Sequence, residues 1–391
     1  MLVYAMDYWI YGLEKVMLDL GEIRDKIDGI DRQLVDLFEE RMQLCTDVAK
    51  YKIETGKKVL DTDREKAKIE AVSKMVKDPK NVHAIDDLFS QIMANSRKMQ
   101  YRLLEETTQT LREPYEAIDE IDKKNCRVVY QGVPGAYSYI AMRRFFGKDV
   151  NNFAVPTWRD AMEAVVEGRA DYAVLPIENS TAGIVNEIYD LLVEFENYIV
   201  GEQVIPIEHC LLALPGTKME EIKRVYSHPQ SLMQSARYLS EHDWQQISMQ
   251  NNAFAALKVA KEKDKTQAAI ASEYAGETYG LEILEKGIND SDSNSTRFII
   301  VTNQKIFRKN ANKISLCLEI PHQSGSLYHI LSHFIYNNLN MTKIESRPIP
   351  DRNWEYRFFI DFEGNLADSA VKNALRGLRE EARSMKILGN Y

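Results

Sequence analysis

Ile23, Ile27, Ile30, Leu34, Leu37, Leu44, Val48 and Tyr51 follow one another in alternating steps of four and three residues. That spacing holds all of them on one stripe of an α-helix, the heptad seam of a coiled coil. A strand cannot use it, because strand side chains alternate faces every second residue. One seam position departs from the pattern, and it is Arg41. A lone guanidinium removed from water is strongly destabilising unless an anion meets it. Arg41 therefore needs either a protein carboxylate, as a buried ion pair or register device, or an anionic ligand.

Two more helices are predicted, from "DTDREKAKIEAV" and "AIDDLFSQIMANSRKMQYRLL", parted at Asp78-Pro79, so that residues 19–106 form an all-α segment. Ser96 and Gln100, spaced i, i+4, share a face of the third helix. Thr62 and Glu65 have the T-x-x-E spacing of a capping box, which would explain Glu65 structurally. Arg24 and Lys52 share the heptad position beside the seam, one on each side of Arg41 and about 40 Å apart at the helical rise. No small molecule spans that distance. An antiparallel second copy would bring one chain's Arg24 toward the other's Arg41 and Lys52, giving a homodimer with two cationic sites.

After a polar stretch at 107–125 that reads as a linker, the texture changes. From Cys126 to Thr302, β-rich runs such as "CRVVYQG", "DYAVLPIEN", "RVYSHPQ" and "TRFIIVTNQ" alternate with helical ones. The alternation predicts an α/β domain with mostly parallel sheets. Ligands of such sheets sit at the C-terminal ends of strands, where "QGVPGAYS", "PIENSTAG" and "SHPQ" fall. "SDSNSTRFIIV" (291–301) runs small polar residues straight into an apolar strand, with no base beside the hydroxyl of Thr296. Residues 303–312 read as a basic, polar break. The order strand (314–320), helix (326–338), strand (341–348), strand (355–363), helix (367–383), strand (385–389) is the ferredoxin-like split βαβ pattern.

At 391 residues the chain suggests two or three domains. A net charge of −9 argues against a general nucleic-acid or anionic-membrane binder, yet leaves room for an anionic small molecule held by a few placed cations. Cys45, Cys126, Cys210 and Cys317 are scattered without metal-ligand spacing and read as reduced thiols of a cytoplasmic protein; no metal is expected. Residues 1–18 are apolar but lack a basic n-region and cleavage site, so they read as an N-terminal extension, not a signal peptide.

Residues 19–106 resemble the helical chorismate mutase domain found at the N-terminus of bifunctional chorismate mutase–prephenate dehydratases. The resemblance implies that Arg24 of a partner chain, Arg41, Lys52 and Arg64 hold a dianionic substrate. Asp61 and Glu65 would meet its hydroxyl, while Ser96 and Gln100 line the pocket. The rearrangement of chorismate to prephenate needs a folded conformer and positive charge at the breaking ether bond, with Lys52 supplying that charge. No cofactor is implied.

"YQGVPGAYS" (130–138), "DYAVLPIENSTAG" (171–183), "SHPQ" (227–230) and "NSTRF" (294–298) make 126–302 resemble the prephenate dehydratase domain, a two-lobed fold similar to periplasmic binding proteins. In that reading Thr296 is the catalytic hydroxyl and helps the ring hydroxyl of prephenate leave, which explains the missing base. Glu178, Asn179, Ser180, Thr181, Ser227, His228, Arg297 and Phe298 would complete the substrate site. From the residues alone Glu178 is either an acid with a raised pKa or a carboxylate paired with a cation. Asn179, Ser180 and Thr181 precede an expected helix, "AGIVNEIYDLLVEF", whose amides could hold a carboxylate or which they could simply cap. His228 is either structural or ligand-facing. The loop "VPG" (133–135) is similar to the plant arogenate dehydratase version, which leaves an arogenate-preferring dehydratase open.

Residues 313–391 resemble an ACT regulatory domain, with "GSLYHIL" (325–331) and "ESRP" (345–348) as its phenylalanine motifs, hence Gly325, Ser326, Leu327, Glu345, Ser346, Arg347 and Pro348. Ser326 stands where that family usually has Ala. The implied protein makes prephenate from chorismate and phenylpyruvate from prephenate, is inhibited by L-phenylalanine, and is a homodimer or a tetramer. The alternative is a non-catalytic amino-acid-sensing binding protein, which leaves the cations of the helical segment without a purpose.

Overall fold

The structure, a computed structural model, describes residues 19–107 and 115–391, which fall in two compact units. The expected extension at 1–18 lies outside the described residues.

The first unit is three helices. α1 (Leu20–Thr55) starts where Asp19 accepts hydrogen bonds from the amides of Gly21 and Glu22, and stops at Gly56, whose φ of 67° ends it in the left-handed region. α2 (Thr62–Ser73) and α3 (Val82–Thr107) follow. The capping-box reading needs correction. The cap of α2 is Asp61, which accepts from the Arg64 amide at 3.1 Å, so Thr62 is already helical and Glu65 plays no part in capping. α3 packs along both α1 and α2, with Ala49, Val59, Val72, Met93, Ala94 and Tyr101 buried between them. The seam residues Ile27, Ile30, Leu34, Leu37, Leu44, Val48 and Tyr51 are instead 46–62% exposed, so this chain's described residues do not cover the stripe.

The second unit opens with β1 (Glu116–Ile118), β2 (Arg127–Gln131), α4 (Tyr137–Phe146), β3 (Asn151–Val155), α5 (Trp158–Val166), β4 (Tyr172–Asn179), β5 (Gly183–Ile184), α6 (Asn186–Glu194) and β6 (Tyr198–Pro206). The chain then crosses into a second lobe made of β7 (Cys210–Ala213), β8 (Arg224–Ser227), α7 (Pro229–Met233), α8 (Ala236–Leu239), β9 (Gln245–Ser248), α9 (Asn252–Glu262), β10 (Gln267–Ala271), α10 (Glu273–Tyr279) and β11 (Glu282–Lys286). It returns through β12 (Ser295–Thr302) and β13 (Ile306–Arg308). It ends in β14 (Lys313–Glu319), α11 (Ser326–Tyr336), β15 (Met341–Pro348), β16 (Tyr356–Glu363), α12 (Ser369–Glu381) and β17 (Ser384–Asn390).

The second lobe is the sheet β11-β7-β10-β8-β9. The large sheet runs β15-β16-β14-β17-β6-β12-β4-β2-β3, so the C-terminal βαββαβ segment joins the first lobe edge to edge. The join is the parallel pairing of Gly389 with Ile199. A Cβ on Gly389 would lie 2.0 Å from the Ile199 carbonyl oxygen, so only glycine fits there.

Three expectations change. The sheets are mixed, not mostly parallel: β12 is antiparallel to β4 and β6, and β7 to β10 and β11, because the strands that cross between lobes return against their neighbours. The 107–125 linker contains β1, which pairs in parallel with β13 inside the supposed break at 303–312. Polar flanks conceal four apolar residues that the fold uses. Ile121 and Ile306 are buried in the first-lobe core, Phe307 in the C-terminal core, and Ile118 packs against the first of these.

Candidate active sites

Arg41 and Lys52 leave one side of α1 about three turns apart. Arg41 is half-buried with its Nη1 3.7 Å from Cys45 Sγ, and Lys52 Nζ donates to the Val59 carbonyl at 2.5 Å. On α3, Ser96 and Gln100 are buried, 5% and 6% exposed, and Gln100 Nε2 donates to Ser96 Oγ at 3.2 Å. Gln100 Oε1 is buried with no hydrogen-bond partner among the described residues. Glu65 is half-buried and pairs at 2.5 Å with Arg97, a residue that spacing alone did not single out. Asp61 and Arg64 are exposed at the start of α2. Arg24 is exposed near the other end of α1, about 25 Å along the axis from Arg41, so one chain does not bring it to this pocket.

In the second unit, the chain crosses between lobes at 207–209 and 287–294. Asn289 ties the crossings together, accepting from the His209 amide at 2.6 Å and donating to the Ile207 carbonyl at 2.8 Å. The lobes also meet at the "VPG" turn. Ser272 Oγ donates to the Gly135 carbonyl at 3.0 Å, and the Tyr279 hydroxyl donates to that of Pro134 at 2.6 Å. Gly135 has a φ of +89°, and an added Cβ would stand 3.0 Å from Ala275 Cα, so glycine permits this approach.

Thr296 lies beside these crossings at the mouth of β12, opposite Asn179 of β4. Asn179 Nδ2 donates to Thr296 Oγ1 at 2.9 Å. The Asn179 Oδ1 accepts from the Thr181 amide, the Thr181 hydroxyl and the Ala182 amide at 3.1, 2.8 and 2.9 Å. Those donors fix which way the amide faces. With a donor on its oxygen, the Thr296 hydroxyl keeps its own proton for another acceptor.

A polar network extends from this pair. Asn179 Nδ2 also reaches Asn294 Oδ1 at 2.9 Å, and Asn294 Nδ2 donates to Gln234 Oε1 at 3.1 Å. Gln234 Nε2 donates to Thr181 Oγ1 at 2.7 Å. His209, 1% exposed, places Nε2 3.1 Å from the same Gln234 Oε1 and Nδ1 3.2 Å from the Tyr137 hydroxyl. Burial holds the His209 pKa below its ordinary value, so the ring is neutral and donates from Nε2 to Gln234. Sequence reasoning missed His209, Gln234 and Tyr137. Asn294 was visible as the first residue of "NSTRF" without being singled out.

The other expected residues divide. Ser180 fastens the turn after β4 to β12, donating to the Ser293 carbonyl at 3.0 Å and accepting from the Ser295 amide at 2.9 Å. Ser227 is buried and donates to the Ile270 carbonyl at 2.6 Å, while the exposed His228 caps α7 through Nδ1, 3.2 Å from the Gln230 amide. Beside them Asn251, which caps α9, keeps its buried Nδ2 unpartnered among the described residues, close to Gly132 of the first lobe.

Four expectations are corrected here. α6 begins at Asn186, because β4 runs on to Asn179 and turns into β5; the residues at 179–181 therefore neither cap a helix nor sit at its amides. Phe298 is 3% exposed in the core beneath the cleft. Glu178 is an ion-paired carboxylate, not a raised-pKa acid: it lies 3.0 Å from Arg297 and 3.0 Å from Lys343. Burial pushes its pKa up, but Lys343 and Arg297 outweigh that and hold the carboxyl below its ordinary value. Arg297 points away from Thr296, into a cluster with Glu178, Glu202 and Asp361.

In the C-terminal segment, a groove of about 450 Å³ is lined by residues including His322, Ser324, Ser326, Leu327, Tyr356 and Phe358. Gly325, with a φ of 79°, opens α11 beside it. The lining excludes Glu345, Ser346, Arg347 and Pro348 of β15, so one chain assembles only half of the expected effector motifs. Arg347 is engaged elsewhere, with Nε 3.0 Å from Asp190 Oδ1 on α6.

Comparison with known proteins agrees with this layout. Residues 23–101 match the chorismate mutase type II family and residues 128–306 the prephenate dehydratase family. The bifunctional chorismate mutase/prephenate dehydratase of Escherichia coli K12 is 34% identical over 376 residues, 94% of this chain and 95% of that protein. Arogenate dehydratase 3 of Arabidopsis thaliana, a chloroplastic protein, is 40% identical over 287 residues, covering 68% of this chain and 67% of its own length. Among solved structures, the prephenate dehydratase of Arthrobacter aurescens in complex with L-Phe superposes with a TM-score of 0.63 at 29% identity, over 68% of this chain and 89% of that one.

Proposed function

The chain belongs to the family of bifunctional chorismate mutase/prephenate dehydratases and carries both activities, turning chorismate into prephenate and prephenate into phenylpyruvate; from that premise we propose which residues perform each step. The non-catalytic sensor reading is set aside with it.

In the first step Arg41, Arg64 and Arg24 of a second copy clamp the two carboxylates, and Lys52 faces the ether oxygen as its bond breaks. Ser96 and Gln100 line the pocket, while Asp61 and Glu65 meet the hydroxyl. The buried, unpartnered Gln100 Oε1 supports a polar ligand at this place, since a buried carbonyl without a donor is unfavourable. The exposed seam and the distance from Arg24 to Arg41 support an antiparallel homodimer. A tetramer needs only further pairing of such dimers.

In the second step prephenate loses CO2 and its ring hydroxyl together, and the aromatic ring that forms drives the reaction. Thr296 donates a hydrogen bond to the departing hydroxyl. The observation that carries this role is the fixed Asn179 amide, whose donor occupies the Thr296 oxygen and leaves its proton free. The unpartnered Asn251 Nδ2, with Ser227 and His228 beside it, suits a substrate carboxylate on the second-lobe side. L-Phenylalanine, held near Gly325, Ser326 and Leu327, lowers dehydratase activity.

Arogenate is a second reading of the substrate, favoured by the "VPG" turn and the 40% identity to the Arabidopsis enzyme. The test is to supply the purified chain with chorismate, prephenate or arogenate in turn and to follow prephenate, phenylpyruvate and phenylalanine, with and without millimolar phenylalanine. Chorismate should yield prephenate and then phenylpyruvate, and added phenylalanine should slow the second step alone. Dehydration unchanged by phenylalanine would overturn the feedback reading.

A further inference from the structure

Asn179 and Thr296 are paired across β4 and β12, and so are their neighbours Glu178 and Arg297. Successive strand residues leave on opposite faces. The cleft-facing pair and the pair behind it are thus one residue apart on each strand. The C-terminal segment grips the pair behind. Lys343 of β15 is 3.0 Å from Glu178, and Asp361 of β16 is 3.3 Å from Arg297. Glu202 joins in, 3.4 Å from Arg297 and 2.6 Å from Lys313.

Lys343 and Asp361 are each only 12% exposed at the side chain, and Arg297 15%. Three cations and three carboxylates balance at this junction, whose outer members are Glu178 at 36% exposed, Glu202 at 29% and Lys313 at 23%. There, losing one partner leaves a charge uncompensated, so the members hold one another to a narrow geometry.

We propose that Lys343 and Asp361 are positioning residues for the dehydratase step, acting through Glu178 and Arg297 on the hydrogen bond from Asn179 to Thr296. β15 suits this work. Its odd-numbered residues from Met341 to Arg347 are half-buried and its even-numbered ones from Thr342 to Pro348 are exposed. The inward face holds the catalytic lobe at Glu178 through Lys343 and at Asp190 through Arg347. The outward face carries Ser346 and Pro348 of the effector motif. A shift of β15 is therefore delivered to Thr296 within two residues of each strand. This last link, and only this one, rests on the phenylalanine reading above.

The experiment uses the full chain, with mutase activity on chorismate as the control for the helical unit and cooperative thermal unfolding of the larger unit as the control for its folding. Lys343→Met should lower dehydratase kcat about tenfold, since a displaced catalytic group loses rate steeply, with little change in KM and none in mutase activity. Lys343→Arg, which keeps the charge, should restore most of the rate, and the isosteric Asp361→Asn should reproduce the kcat loss. Glu178→Gln combined with Lys343→Met should be no worse than the poorer single variant. The proposal is overturned by an unchanged kcat in Lys343→Met and Asp361→Asn, by a change in KM alone, or by additive losses in the double variant. Calorimetry separates the two readings. Phenylalanine should still bind Lys343→Met while inhibiting it less, whereas an absence of binding to the unaltered chain defeats the feedback reading and leaves the kcat comparison decisive for positioning.

Discussion

The two units of this chain solve the same problem, holding a small dianion, in opposite ways. The helical unit is open: among the described residues its apolar seam faces solvent, and Arg24 stands about 25 Å from Arg41. The larger unit is closed, with both lobes meeting at Gly135 and the network from Thr296 to His209 complete within one chain. On the reading proposed above, the helical site is completed by a second copy and depends on assembly. A site folded at the junction of two lobes depends on the alignment of strands it already owns.

The largest effects are expected when each site is disabled by itself. Arg41→Ala should reduce prephenate formation at least about a hundredfold if it removes the carboxylate clamp proposed above, while added prephenate is still dehydrated. Thr296→Ala should lower dehydration by about 10²–10³, the usual consequence of deleting one donor to a charge developing in the transition state, so that prephenate accumulates from chorismate. Coupled chorismate-to-phenylpyruvate assays read both. Equal damage to both reactions by either substitution, in protein that remains folded, would abolish the division of labour.

A smaller effect sharpens the same contrast. Leu37, 62% exposed on the seam, becomes buried if a second copy packs there. Leu37→Asp should weaken dimers and lower mutase activity about tenfold at micromolar protein, with recovery as concentration rises. Dehydratase turnover should stay near its original value. Sedimentation alongside both assays checks it; mutase activity independent of association would mean that the seam is not the interface.

How far these sites could be read from the sequence follows the same divide. The heptad spacing and the i, i+4 pair of Ser96 and Gln100 are local patterns, and local patterns survive without a structure. In the larger unit the motifs pointed to strand ends, and Asn179 does stand opposite Thr296. The partners that orient them were hidden. Gln234 lies 53 residues from Thr181, and His209 lies 25 from Gln234, so only the crossing of the lobes joins them. Glu178 was misleading for a related reason. A carboxylate near a cleft suggests an acid until Lys343, distant in sequence, appears beside it. β1 and β13 were obscured by their own polar flanks, since three-residue strands carry almost no periodicity.

The last contrast is in acid, and it is the smallest. His209 is buried and neutral in the folded chain, its pKa below 6.5 because burial disfavours the charged ring. Once the pH falls below about 6.5 the unfolded chain binds a proton that the folded chain refuses, and stability falls with pH until the folded value is reached. Each unit of difference corresponds to about 1.4 kcal/mol. Glu178 acts in a lower window. Its pKa is depressed on balance, so its contribution is complete above the ordinary carboxylate value, about 4.3, and is lost as the pH drops through the folded value. Of the four tryptophans, Trp158, Trp244 and Trp354 belong to the larger unit, and Trp9→Phe removes the fourth. Denaturant unfolding of that variant, followed by fluorescence between about pH 7.5 and 5, therefore reads the larger unit, where burial lowers the pKa of His228 as well as that of His209. His209→Gln should reduce that slope by the His209 share, leaving that of His228, without touching the one below about pH 4.3; an unchanged slope would mean that the His209 ring is not held neutral by burial and that the network beside Thr296 is looser than its distances require.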